Sequence, residues 1–397
     1  MRRSLYRITF LLLSCVLVPS VFSASLQPIV ANQNHAPAGV LRDAVLTIQL
    51  EIAKGEWHPE AEDGIALSVY AFGEAGRSLQ NPGPLIRVPQ GTEIRASLHN
   101  TLGVPITVHG LGEPGGNAAL HVAPGNKEQV SFKATTPGFY LYWGAAEAGD
   151  VRLRYGIDSE LTGAMVVDPP GATADDEVFV LEMISEHPGL NSRQTLATIN
   201  GKSWPFTQHF QYNVGQPVHW RLINGTNEPH ALHLHGFYFR VNAYNHEGRI
   251  ETYSGDSRPM VVTQRIAQGD AFDMIWSPQR AGQWLFHCHM LQHMTPPIVP
   301  KVPGLEFSAA GPAQHGHMAM PESAGMGQLV LGITVPSPRN APTTDTWHAD
   351  RKLQLEISER SGAPRFGLRL RDSSQRTPSQ DKLGLIGPPI VLTRGSR

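Results

Sequence analysis

The chain has 397 residues, room for two or three domains, and a formal net charge of −2 that offers no basic footprint for nucleic acid or an anionic membrane surface. With 39 Gly, 32 Pro and no long apolar pattern of helical period, it reads as an all-β chain of many short strands.

At the N-terminus, Arg2 and Arg3 precede the apolar stretch Phe10-Leu-Leu-Leu-Ser-Cys-Val-Leu-Val-Pro19, and Val21-Phe-Ser23 offers small residues before a cut. This predicts a signal peptide over 1–23, too short for a stable membrane span, and a periplasmic or secreted mature protein. Cys15 raises the question of a lipid anchor, but the apolar run continues past it, so plain cleavage near Ser23 is expected. No further hydrophobic span follows, and no membrane association is expected after cleavage.

Residues 41–170 read as one β-sandwich. Val45-Leu-Thr-Ile-Gln-Leu-Glu-Ile52 alternates over a strand length, and 85–94 reads as a strand, a turn at Gln90-Gly91 and another strand. Thr136-Pro-Gly-Phe-Tyr-Leu-Tyr-Trp143 mirrors Arg280-Ala-Gly-Gln-Trp-Leu-Phe-His287, a glycine turn leading into an aromatic strand, which points to an internal repeat. Pro169-Pro-Gly-Ala-Thr-Ala-Asp-Asp176 is a linker, and a second sandwich is expected over 175–303. Residues 304–327 form a linker that carries His315, His317, Met318, Met320 and Met326; thioether and imidazole there suit soft copper, though such a stretch is more often simply a connection. The strands expected at 328–335, 352–357 and 366–370 are too few for a large sandwich; they could complete a small β subdomain or lie against the second domain, and 328–397 reads as a small β segment.

Chemistry concentrates in two short runs. His230-Ala-Leu-His233-Leu-His235-Gly236 precedes the strand-like Phe237-Tyr-Phe-Arg-Val241. Strand alternation puts His233 and His235 on one face, with His230 a short loop upstream. His287-Cys288-His289-Met290-Leu291-Gln292-His293 ends the strand led in by Gly282. Here His287 and His289 share a face, Cys288 points to the other, and His293 folds back toward the sulfur. The chain thus offers a sulfur-containing set of His230, Cys288 and His293, and an all-imidazole set of His233, His235, His287 and His289. A lone His-x-His is usually exposed imidazole, and zinc also takes Cys and His in closed tetrahedral sites. Seven ligand-type residues in correct strand phase favour copper, because a thiolate with imidazoles and a weak axial ligand suits a blue-copper centre. Cleavage at Ser23 leaves Cys288 as the single cysteine in an oxidising compartment, and a bound metal is a reason to keep it.

Those two runs, with Ile199-Asn-Gly-Lys-Ser-Trp-Pro205 and Gly236-Phe-Tyr-Phe-Arg-Val241, resemble the C-terminal copper motifs of the multicopper oxidases, the laccase-like family of linked cupredoxin domains. The resemblance covers about residues 75–302 and implies tandem cupredoxin-like Greek-key sandwiches. It assigns His230, Cys288 and His293 to a type 1 copper that accepts electrons from a small reducing substrate. It assigns His233 to a type 2 copper, and His235, His287 and His289 to the type 3 pair of a trinuclear centre that reduces dioxygen. Cys288, His287 and His289 would carry the electrons. The axial position falls at Ile298 by family spacing, with Met294 as the rival.

The family places complementary His-x-His-Gly and His-x-His motifs in its first domain. Here the first reads Thr107-Val-His109-Gly110, and the second has Trp143 and Ala145 where histidines are expected. His121 reads as a surface imidazole. The end of the chain, Ile386-Gly-Pro-Pro-Ile-Val-Leu-Thr-Arg-Gly395, echoes Asn81-Pro-Gly-Pro-Leu-Ile-Arg-Val-Pro-Gln-Gly91, which suggests the start of a further, shortened cupredoxin domain. A missing domain or a partner chain would then supply the absent histidines. The expected function is a copper-dependent oxidoreductase acting on phenols, aromatic amines or metal ions with dioxygen; the alternatives are a single-copper electron-transfer or copper-binding protein and a scaffold with vestigial ligands.

Overall fold

The computed structural model describes residues 26–146, 149–190, 195–290 and 328–337, together with the strands Leu353–Glu359 and Phe366–Asp372. Alternating side chains build the first sandwich. Val45–Trp57 buries every second residue over most of its length, so Leu46, Ile48, Leu50 and Ile52 enter the core while Thr47 and Gln49 face out. This strand is central to a sheet of seven strands that runs from Gln27–Ala31 at one edge to Lys127–Lys133 at the other. A five-stranded sheet faces it, with Gly138–Ala145 between Thr162–Asp168 and Ile106–His109. Ile86, Val88, Ile106, Val108, Tyr142 and Met165 meet the first sheet across the core.

The second sandwich repeats the plan. Glu177–Ile184 pairs parallel with Val218–Asn224, as Val45–Trp57 pairs parallel with Glu93–Asn100. Gly282–Cys288 runs antiparallel to His230–Leu234, as Gly138–Ala145 does to Ile106–His109. The mirrored glycine-aromatic runs thus occupy matching strands. An aromatic core of Phe179, Phe210, Tyr212, Trp220, Trp276 and Phe286 fills this sandwich, with Trp220 and Phe286 edge-on at 5.3 Å between centroids.

Three expected boundaries shift. The first sandwich starts before residue 41, because Gln27–Ala31 pairs parallel with the Val45–Trp57 strand and buries Ile29. The strand after Gly236 begins at Phe239 rather than at Phe237. Val330–Val335 is part of the second sandwich and not of a separate C-terminal segment: it pairs antiparallel with Gly282–Cys288 and parallel with His209–Gln211. Its run Val-Leu-Gly-Ile-Thr-Val, buried apart from the half-buried Thr334, fits a strand with neighbours on both sides. Beyond it, Leu353–Glu359 and Phe366–Asp372 form an antiparallel pair in a second compact unit, 338–397. The signal segment, residues 304–327 and the C-terminal echo at 386–395 lie outside the described residues. Among the described residues no helix is long and apolar enough to cross a membrane.

The sandwiches meet through apolar and polar seams. Leu85, Phe139, Ala164 and Val166 of the first pack on Val178, Val180 and Ile223 of the second. Beside them Arg87 donates to both oxygens of Asp168 at 2.8 Å and to Asp176 at 2.7 Å. Arg221 pairs with Asp176 and Asp273 at 3.2 Å, and His219 Nε2 lies 2.6 Å from Asp273. Asp175, Asp176 and His219 come together there, but the two guanidiniums already balance the acids, so the cluster reads as an interdomain tie. A second polar group is fully buried. Asn81 Nδ2 donates to Glu160 at 2.8 Å, Thr162 Oγ1 donates to Glu182 at 2.5 Å, and Arg154 donates to the carbonyls of Asp158 and Ser159 at 2.6 Å. Burial pushes Glu160 up to about 7 and raises Glu182 well above the usual carboxylate range.

Candidate metal centre

The register of one strand pair sets the site. Leu232 faces Cys288, His233 faces His287 and Leu234 faces Phe286. His230, Leu232 and Leu234 therefore point into the core with Phe286 and Cys288, while His233 and His287 point out of it. His230 is the first residue of its strand rather than part of a loop upstream, which gives it the same phase as Cys288 across the sheet.

On the core side, Cys288 Sγ lies 3.5 Å from His230 Nδ1, and both residues are buried. Burial raises the Cys288 thiol, while the backbone N–H groups of Met290 and Ala231 act against that rise. The metal-free cysteine is thus a neutral thiol, and a metal that takes the sulfur must displace its proton. Leu329, just ahead of the Val330–Val335 strand, accepts from the Cys288 backbone N–H at 3.1 Å and closes this side. His293, Met294 and Ile298, the expected third ligand and axial candidates, lie outside the described residues.

On the opposite side, four imidazoles gather. Ring centroids are 4.9 Å apart for His235 and His287, 5.0 Å for His233 and His235, 5.2 Å for His233 and His289, and 5.6 Å for His287 and His289. His287 Nδ1 is 2.9 Å from the Cys288 carbonyl oxygen. A carbonyl can only accept, so Nδ1 carries the proton and Nε2 is left with a lone pair. That lone pair receives the Nε2–H of His235 at 2.9 Å. Burial, then the neighbouring His235, lowers His287 to about 4; burial and neighbouring imidazoles also lower His233 and His235. Among the described residues it is the His235 and His287 nitrogens that converge, a pair of imidazoles able to hold a metal between them, with the His233 and His289 rings beside them. Thr263, from the next strand, holds His233 Nδ1 through its hydroxyl at 2.8 Å, a contact the sequence signals only through antiparallel pairing. Gly236 turns the chain away with φ of 79°, and a Cβ there would run into the Trp284 ring.

The first sandwich presents different chemistry on its matching strands. Trp143 faces His109 and Ala145 faces Thr107. His109 lies flat on Trp143, 4.2 Å between centroids at 16°, and the Arg154 guanidinium covers the same indole at 5.3 Å. Burial and then Arg154 lower His109. Thr107 Oγ1 is 3.4 Å from His121 Nδ1. Among the described residues no hydrogen bond or ring contact joins His109 to the four imidazoles.

The donor set suits copper. A buried thiol beside an imidazole nitrogen is a soft site, and the imidazole group beside it suits the same metal. Residues 178–299 match the multicopper oxidase family model. A probable nitrite reductase-hydroxylamine oxidoreductase fusion protein of Kuenenia stuttgartiensis is 26% identical over 269 residues, 62% of this chain and 30% of that protein. The copper-containing nitrite reductase of Neisseria meningitidis serogroup B (strain ATCC BAA-335 / MC58) is 28% identical over 171 residues, 40% of this chain and 41% of that one. Both matches span less than half the length of these relatives. The blue copper oxidase of Nitrosomonas europaea superposes with a TM-score of 0.55 at 20% identity, over 73% of this chain and 85% of that chain, a likeness of fold. The second sandwich carries the multicopper oxidase signature, and the architecture is that of tandem cupredoxin domains.

Proposed function

We propose that this chain, whose second sandwich is of multicopper oxidase type, is a copper-dependent oxidoreductase. In this reading His230, Cys288 and His293 would hold one copper, facing the reducing substrate, and His233, His235, His287 and His289 would hold copper for dioxygen chemistry. Phenols, aromatic amines or metal ions are the reducing substrates. The observation that carries the reading is the register of Leu232 with Cys288 and His233 with His287, which puts sulfur and imidazoles on opposite faces of one strand. Bound copper would supply one-electron redox chemistry.

The chain's own residues define the route. Cys288 is peptide-bonded to His287 on one side and His289 on the other, so its sulfur would have a path of covalent bonds to either imidazole. The Cys288 carbonyl, by accepting from His287 Nδ1, fixes that ring with Nε2 directed into the imidazole group. The aromatic core around Phe286 keeps water from the sulfur side. The exported location proposed from the N-terminal pattern is an oxidising one, where a metal on the Cys288 sulfur would protect it.

A second reading has a specific observation in its favour. His109 is stacked on Trp143, with Arg154 over the indole, and among the described residues no hydrogen bond or ring contact joins it to the imidazole group. Under that reading the Cys288 copper transfers or stores electrons alone, unless a partner chain or further domain completes the second centre. Oxygen uptake by the copper-loaded protein with a phenol, an aromatic amine or ferrous iron tests the proposal, with nitrite as a parallel acceptor because the similar proteins include nitrite reductases. Oxygen uptake abolished by His287→Ala supports the oxidase. Nitrite consumption alone changes the acceptor. Neither activity, from a protein that holds one copper per chain, leaves the electron-transfer reading.

A further inference from the structure

Thr226 lies in the short connection between the strands Val218–Asn224 and His230–Leu234, and it is fully buried. Its hydroxyl oxygen meets four polar atoms. Asn224 Oδ1 and the Glu228 carbonyl oxygen lie at 2.8 Å, the Glu228 backbone N–H at 3.2 Å, and His230 Nε2 at 2.8 Å. A hydroxyl has one proton to give and two lone pairs to offer. The Glu228 N–H fills one lone pair. Asn224 Oδ1 and the Glu228 carbonyl can only accept, and they already share the single proton between them. His230 Nε2 must therefore be a donor, and its N–H enters the second lone pair. A neutral imidazole protonated at Nε2 is bare at Nδ1, and Nδ1 is the atom 3.5 Å from Cys288 Sγ.

The turn holds Thr226 from the other side. Asn224 Oδ1 accepts from the Thr226 backbone N–H at 3.0 Å, and Asn224 Nδ2 donates to Glu228 O at 2.8 Å and Ala267 O at 2.9 Å. The hydroxyl thus has a fixed place from which to orient the ring, and the sequence places it four residues ahead of the ligand.

We infer that Thr226 is a positioning residue: its hydroxyl locks His230 in the tautomer and ring orientation that present Nδ1 to a metal at Cys288. The inference rests on reading Cys288 and His230 as a copper site. Outer hydrogen bonds of this kind fix the tautomer of a ligating histidine, and their loss costs about 10–100-fold in metal affinity.

The test uses the mature protein labelled with 15N-histidine. Nuclear magnetic resonance reads the His230 tautomer in the metal-free state, and competition with a chelator reads copper affinity. The wild type is expected in the Nε2–H form. Thr226→Val, of similar shape but without the hydroxyl, is expected to mix the tautomers and lose about 10–100-fold in copper affinity, while Thr226→Ser keeps both properties. A wild-type His230 protonated at Nδ1 overturns the inference without any variant, so a Thr226→Val protein that fails to fold leaves it testable. A Thr226→Val protein equal to wild type in tautomer and affinity also overturns it. If the tautomer follows Thr226 as expected but the wild type binds no copper, the ring positioning stands and the copper reading of the site falls.

Discussion

Glu160 gives the sharpest test of the buried seam between the sandwiches. Its carboxyl is fully buried, accepts from Asn81 Nδ2 at 2.8 Å, and is raised by burial from 4.5 to about 7. A group whose folded value lies above its unfolded value binds protons better in the folded state. Its contribution is complete below about 4.5 and is lost as pH rises through about 7. The displacement corresponds to about 3 kcal/mol, and Glu182, raised in the same direction, adds to the slope. Glu160→Gln keeps an acceptor for Asn81 and removes the titration, so it mimics the protonated wild type. In urea unfolding from pH 5 to 8.5, the variant should match wild type at the acid end. At pH 8.5 it should be more stable by about 1–3 kcal/mol, with a flatter dependence on pH. A variant less stable than wild type at pH 8.5, or two parallel pH profiles, would refute the burial argument.

Three further outcomes are expected. Asp273→Asn removes the charge between His219 and Arg221, 2.6 and 3.2 Å away, and should cost about 3 kcal/mol in urea unfolding at pH 7. Burial works to raise the Asp273 carboxyl, but its His219 hydrogen bond and the charges of His219 and Arg221 hold it low, so its contribution is present at neutral pH and lost on acidification; the variant should lack that acid-side loss. Gly236→Ala puts a Cβ against the Trp284 ring at a φ of 79°, and should destabilise by about 2–4 kcal/mol in thermal unfolding; an unchanged melting temperature would count against the close packing described. Thr263→Val removes the hydroxyl at His233 Nδ1 and should weaken copper binding by the imidazole group by about 10-fold while leaving the visible absorption of the Cys288 site intact, as read by metal analysis and spectroscopy.

The sandwiches and the site's phase were legible because strand alternation has a period of two. His287 and Cys288 must face apart, and His233 must share a face with His235, whatever the rest of the chain does. Other features depended on distant pairing. The text of Val330–Val335 declares a buried strand but not which sheet receives it, and that partner lies across residues 304–327. Ile29 had no helical or strand period long enough to announce its burial against the first sheet. Thr226 and Thr263 were silent for a related reason: a hydroxyl's role is set by the atoms that surround it, and composition and spacing carry no record of those. The loss at Thr107, Trp143 and Ala145 was visible as missing ligands, whereas the His109–Trp143–Arg154 stack required coordinates.

The most direct measurement is the copper content and visible absorption of the copper-loaded, desalted mature protein beside its Cys288→Ser variant. The wild type is expected to bind copper and show an intense visible band, and Cys288→Ser to lose that band and at least one copper. A colourless wild type without copper, or a band that survives in Cys288→Ser, would contradict the copper assignment.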